Sequence, residues 1–252
     1  MKATWAMLVA AGVMAISLMA SASAGAATVT IGSPLTSAFE NQPAGGIGTN
    51  AMVTGPNIAS PVDGTVVNWR TQNFRGTLRV RILQIGAGNA ATAVASSSPI
   101  NLSGGTVDSP LNLQIKKGQV VGFDNTSAGD TGDVAQDSTA IVSAGWATLP
   151  DNGAPEAPTF SNEGLEFAYN ATVRYCLVPN VVGKKVGAAQ QALSEAGCTL
   201  GTVTKKKAKK KKKPKGPKIV KSQSAPPGTS LGDQAPVNVN VKVKPKKKKQ
   251  KK

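Results

Sequence analysis

Apolar and polar residues alternate in short runs through most of the chain. Leu78, Val80 and Ile82 alternate with Arg79, Arg81 and Leu83-Gln84, which predicts a strand with one buried and one wet face. Thr65 to Arg70 reads as a strand leading to a turn at Gly76. Leu111, Leu113 and Ile115 alternate as well, and Lys116-Lys117-Gly118 reads as a hairpin turn into a strand over 119–124. Ala140-Ile141-Val142 and the stretch Leu165 to Tyr175 supply further strands, with Phe167, Tyr169 and Val173 as core candidates. Gly, Pro, Asn and Ser clusters punctuate these runs, and no long helical period interrupts them. Residues 28–175 are therefore predicted as one β-sandwich of jelly-roll type.

The pattern changes after residue 176. Val178 to Val182 is a short apolar run in which Pro179 suits an edge strand, and Gly183 ends it. From Lys184 to Ala196 the apolar positions Val186, Ala189, Leu193 and Ala196 fall on one helical face. Gly197 stands where a left-handed C-terminal cap is expected. Leu200 to Thr204 and Ile219 to Ser222 read as strands, and Ala225-Pro226-Pro227-Gly228 as a turn. Val237, Val239, Val241 and Val243 alternate with polar residues, so the last strand buries one face.

Val178-Pro179…Gly183, the Ala-rich helix, Gln223-Ser224-Ala225-Pro226-Pro227-Gly228-Thr229 and the terminal valine alternation together resemble a PASTA domain. This is the module found on penicillin-binding proteins and serine/threonine kinases. The resemblance covers residues 176–244, with a lysine-rich insert at 205–218 and a basic tail at 245–252. That insert is longer and more basic than the family pattern needs. The resemblance implies a small α+β unit, one helix packed on a small sheet, that lies outside the cytoplasm and associates with peptidoglycan. It implies no catalysis, and it places no ligand-contact residue on this chain. The sandwich region, by pattern alone, loosely resembles the jelly-roll domains of secreted carbohydrate-binding proteins.

Two features bear on the compartment. Lys2 is the one charge ahead of Glu40, and an apolar run from Ala6 to Ala20 leads to small-residue sites at Ala22-Ser23-Ala24 and Ala24-Gly25-Ala26. Residues 1–27 thus read as a secretory signal peptide cleaved after Ala24, Ala26 or Ala27. The apolar run is short for a bilayer span of about 20 residues, so the mature chain is expected to lack a transmembrane segment. The two cysteines, Cys176 and Cys198, are expected to pair in an oxidising compartment, the alternative being two buried thiols. The pair also resembles that of a subset of secreted actinobacterial PASTA domains.

Charge divides the chain. Thr28 to Tyr175 carries seven bases and eleven acids, a net of −4, whereas Cys176 onward carries 21 lysines against Glu195 and Asp233, a net of +19. The excess lies in two blocks. Lys205, Lys206, Lys207, Lys209, Lys210, Lys211, Lys212, Lys213, Lys215 and Lys218 form the first; Lys246, Lys247, Lys248 and Lys249 lie in the second. Neighbours in an extended chain lie within about 3.5 Å, inside a Debye length of about 8 Å. Such runs repel themselves, stay extended and attract polyanions. Export and the lack of a nearby aromatic stacking platform argue against nucleic acid and for phosphate- or carboxylate-bearing wall polymers.

Chemistry in the sandwich region is sparse. Asp124, Asp130, Asp133 and Asp137 crowd one predicted loop and are weak calcium candidates, without EF-hand spacing. Trp69, Phe74 and Trp146 are either a sugar-stacking platform or core. Glu163 with Glu166, or Asp124 with Asp130, are the carboxylate pairs open to glycoside hydrolysis. With no histidine there is no ordinary Ser-His-Asp arrangement, and no cofactor motif is present. The leading expectation is a secreted, wall-associated, non-catalytic binding protein. A lectin-like protein, with the sandwich as binding unit and the basic tail as tether, is the alternative; a glycosidase is the weakest reading.

Overall fold

The computed structural model describes residues 25–42, 47–126, 132–205 and 216–243, and for 41–42, 132–134 and 136–139 the backbone alone. The first twelve strands are β1 (Ala27–Gly32), β2 (Glu40–Gln42), β3 (Gly48–Thr54), β4 (Gly64–Gln72), β5 (Arg75–Ile85), β6 (Ala91–Ser96), β7 (Ile100–Ser103), β8 (Thr106–Ile115), β9 (Val120–Asn125), β10 (Gly132–Trp146), β11 (Phe160–Phe167) and β12 (Tyr169–Leu177). After them come α1 (Val186–Glu195), β13 (Thr199–Lys205), β14 (Lys218–Gln223), β15 (Ser230–Leu231) and β16 (Pro236–Val243).

The predicted sandwich is present. One sheet runs β1-β12-β4-β8 and the other β11-β10-β3-β9-β5-β6, with β2 paired to β10 and β7 to β5. β1 pairs with β12 and β3 with β10, so strands from the two ends of the region nest together. Alternation works as expected on the inner faces, where Leu78, Val80 and Ile82 are fully buried. An aromatic cluster fills the space between the sheets. Trp69 meets Phe74 at 5.9 Å, Phe74 meets Phe123 at 5.1 Å and Phe123 meets Phe167 at 5.2 Å, each pair involving Phe74 or Phe123 edge to face. Trp146 is also buried. Trp69, Phe74 and Trp146 are therefore core, and the sugar-stacking platform is not formed.

Tyr169 links the layers through its hydroxyl. It stands on β12, donates to the carbonyl of Val121 at 2.6 Å and accepts from the amide of Met52 at 3.2 Å, both in the opposite sheet. Burial pushes its phenol well above the ordinary range, while the Met52 bond works the other way.

Several expected connections differ. The turn after β4 lies at Asn73, in the left-handed region with φ 55°, and Gly76 lies inside β5. That turn carries the chain from one sheet to the other. Lys116-Lys117-Gly118 does turn, with the Gln119 amide on the Lys116 carbonyl at 3.0 Å, but it joins β8 and β9, which also belong to different sheets. It is a crossing and not a hairpin. The stretch Leu165 to Tyr175 breaks at Ala168 into β11 and β12, again in different sheets. Each change of sheet lets a continuous apolar run keep facing the same core.

The C-terminal module is a three-stranded sheet, β13-β16-β14, with α1 packed on it. Ala189 and Leu193 of α1 are fully buried against Val237, Val239 and Val241 of β16. Gly197 ends the helix at φ 73°, and a Cβ there would lie 2.8 Å from the Tyr175 carbonyl.

The two units share a strand. β12 runs through residue 176, where the domain boundary was expected, and its last residues pair with β15 of the module, Cys176 with Leu231 and Leu177 with Ser230. Arg174 grips Asp233 across this junction at 2.8 Å; Asp233 is 3% exposed and Arg174 39%. Burial works to raise the Asp233 carboxyl, but the bonds from Arg174, Thr65 and Gln234 prevail and hold it below its ordinary value. The bridge therefore stabilises the junction at neutral pH. Its contribution falls away as pH drops below the unfolded carboxylate value of about 3.9 and through the lower folded one. Arg174→Ala, which strands a buried carboxylate, is expected to cost about 1–3 kcal/mol. Its acid limb of unfolding, followed by circular dichroism, should be shallower than that of the parent.

Candidate functional site

Residues 178–181 form no strand and 182–183 turn, because their partners are side chains and a turn. Gln223 carries the contact: its Nε2 donates to the carbonyls of Pro179 at 3.0 Å and Ala225 at 2.8 Å. Its Oε1 accepts the Val181 amide at 2.9 Å. One amide side chain thus ties the start of the module to the Pro226-Pro227-Gly228 turn. That turn closes on the Val178 backbone, which exchanges bonds with Thr229 at 2.9 Å and Gly228 at 2.8 Å. Cys176 and Cys198 are joined as a disulfide, with Cα atoms 4.8 Å apart and both side chains buried.

The lysines have a defined polarity on this frame. Lys205 ends β13 opposite Val241, and Lys218 opens β14 opposite Val243. Both are exposed, as is Lys242. β16 begins at Pro236, beside Thr199 and the disulfide, and ends at Val243, about 23 Å away at roughly 3.3 Å per residue. Both lysine blocks therefore attach at the end of the module remote from the sandwich. Lys206, Lys207, Lys209, Lys210, Lys211, Lys212, Lys213, Lys215, Lys246, Lys247, Lys248 and Lys249 lie outside the described residues, as does most of the expected signal peptide. β1 opens at Ala27, so cleavage after Ala27 would remove its first residue.

Residues 177–242 match the family model of the PASTA domain. The C-terminal module is a PASTA domain. No curated protein and no solved structure matches the chain. A PASTA domain carries an extracytoplasmic, cell-wall-associated role, and this one is fused by β12 to its sandwich instead of hanging from a linker. No helix among the described residues is long and apolar enough to cross a membrane.

The acidic candidates of the sandwich separate. Asp124 is not in a loop but buried in β9, where Thr49 donates to it at 2.5 Å, Arg79 at 2.5 Å and Arg81 at 2.6 Å. Its oxygens are taken by two guanidinium groups, which removes it both as a calcium ligand and as a hydrolytic carboxylate. Asp130 lies outside the described residues. Asp133 and Asp137 fall in β10, with side chains that are not described. Among the described residues no cluster of His, Cys, Asp and Glu could hold a metal. Glu166 is buried and bonded by Ser33 and by Ser37 at 2.9 Å, whereas Glu163 is exposed beyond Gly164, so the two do not face one another.

Arg81 is the residue that alternation misplaces. It lies on the expected wet face of β5 but is only 3% exposed, because the segment after β10 folds over it. The Leu149 carbonyl accepts from Arg81 Nη2 at 2.5 Å, and Asp151 at 3.1 Å. Nothing local to β5 signals a cover 68 residues away.

Two changes test these assignments. Removing Asp124 leaves buried Arg81 with only the half-exposed Asp151 as its anion, so Asp124→Ala is expected to destabilise by about 3–5 kcal/mol. In denaturant titration the double change Asp124→Leu/Arg81→Met should recover much of that loss. Replacing both cysteines by alanine opens a closure of 22 positions and should lower PASTA stability by about 3 kcal/mol. Hydrogen exchange should then show faster opening in α1 and β13 than in the sandwich.

Proposed function

We propose that this protein is a secreted, non-catalytic binding protein of the cell envelope. Its PASTA domain associates with peptidoglycan, and its lysine blocks add a second, electrostatic hold on phosphate- or carboxylate-bearing wall polymers. The observation that carries this reading is the PASTA domain with both lysine blocks rooted at one end. That end lies remote from the sandwich, so the points at which the two cationic segments attach are separated from it by the length of β16. The signal-peptide pattern at the N-terminus supports export. The disulfide fits an oxidising compartment.

The test is retention of the full chain on purified peptidoglycan, since β12 spans the two units and a fragment starting at Cys176 would cut it. Retention is expected at roughly 0.05 M salt. A weaker, saturable fraction should persist at roughly 0.5 M, where charge attraction between exposed groups is largely screened. A variant with glutamine at the lysines of 244–252 should keep the salt-resistant fraction and lose part of the other. Failure to bind at low salt would sink the proposal; loss of all binding at high salt would reduce it to a cationic tether.

A further inference from the structure

A recess opens at the side of the sandwich between β1, the edge strand of the smaller sheet, and β10 of the larger. It measures about 370 Å³, within the range of small-ligand sites. Among the described residues Glu166 is the one charged group in its wall, and Glu166 is 1% exposed. The ion pairs among those residues all use other acids. Residues 41–46 and 127–139, which include every undescribed part of the sandwich, contain no lysine or arginine. Buried carboxylates are ordinarily paired with a cation or a metal, and the sandwich supplies neither to this one.

The hydrogen bonds around Glu166 run one way. Ser33 donates to Oε1, and Ser37 donates to Oε2 at 2.9 Å. Each hydroxyl spends its hydrogen on the carboxylate and keeps only lone pairs to offer. Ser33 Oγ fills one of these with the Leu35 amide at 2.8 Å. The half-buried Ser37 has its lone pairs open among the described residues. Both serines line the recess beside Glu166, so its polar end is an acceptor-only cluster with one negative charge. Pro34, Pro56 and Ile141 make the rest of the wall largely apolar.

We propose that this recess binds a primary ammonium group on a short aliphatic stem, of the kind a lysine side chain carries. The ammonium donates to Glu166 and Ser37, and the stem lies along Pro34, Pro56 and Ile141. An ammonium has three donors and no acceptor, which complements a cluster that can only accept. Calcium takes about six to eight oxygen ligands, more than one carboxylate and two hydroxyls supply, and the apolar wall suits methylene groups. The inference does not rest on the envelope reading.

The test is calorimetric titration of the full chain with N-acetyl-lysine amide and with N-acetyl-norleucine amide, which has the same stem without the ammonium. Salt is kept at roughly 0.15 M to screen exposed charges. The amine is expected to bind about tenfold or more tightly than the neutral probe. Glu166→Gln keeps the side-chain shape and should level the two affinities. Thr30→Trp, at an exposed position of β1 on the wall of the recess, places an aromatic residue where a strand accepts one. It should shut out both probes with an unchanged melting temperature, and it decides the matter alone if Glu166→Gln fails to fold. Equal affinity of the parent for the two probes, no binding of the amine, or a variant that binds like the parent would overturn the inference.

Discussion

Strand β12 is the constraint on which the rest of the molecule depends. It pairs with β1 on one side, β4 on the other and β15 at its end. Along its length it places Tyr169 between the two sheets, Arg174 against Asp233 and Cys176 in the disulfide. The sandwich core, the junction and the PASTA framework thus hang on nine consecutive residues. Flexible linkers between domains leave relative motion as the default. Here the backbone hydrogen bonds of one strand continue from unit to unit, and the bridge and disulfide flank the crossing. A ligand held by the PASTA domain is therefore held at a set position relative to the sandwich.

Two of the buried polar clusters of the sandwich differ in kind. Tyr169 is neutral and saturated, accepting one bond and donating another, and it fixes the spacing of the sheets at low electrostatic cost. The Arg79–Asp124–Arg81 cluster is ionic, and among the described residues its two Nε atoms have no hydrogen-bond partner; buried ion clusters are often matched in stability by hydrophobic replacements.

What was legible in the sequence follows from the range of the interactions. Alternation in Leu78-Val80-Ile82 and in Val237-Val239-Val241 is a property of a few neighbours, and both strands lie as their pattern demands. The helix, the glycine cap and the Pro-Pro-Gly turn are equally local, which is why the PASTA pieces could be read in order. The change of sheet at Asn73, Gly118 and Ala168 was not legible, since a turn between paired strands and a turn between sheets use the same residues. Gln223 replaces a strand pairing at Val181 with a side-chain bond from 42 residues away. Asp124 looked like a loop acid because its partners, Arg79 and Arg81, are 45 and 43 residues distant. Contacts of that range leave no mark on the spacing of neighbouring residues.

The nesting of β1 against β12 carries a consequence for how the chain comes into being. Ala27 pairs with Tyr175, so the first strand made is completed by nearly the last one of the sandwich. A polypeptide that emerges N-terminus first must hold β1 without its strand partner until that late strand appears. Closing so long a loop makes the sandwich slow to assemble by its topology. The PASTA pieces, α1 through β16, lie within one short stretch and emerge after β12. Strand closure and disulfide formation thus converge on a single late moment.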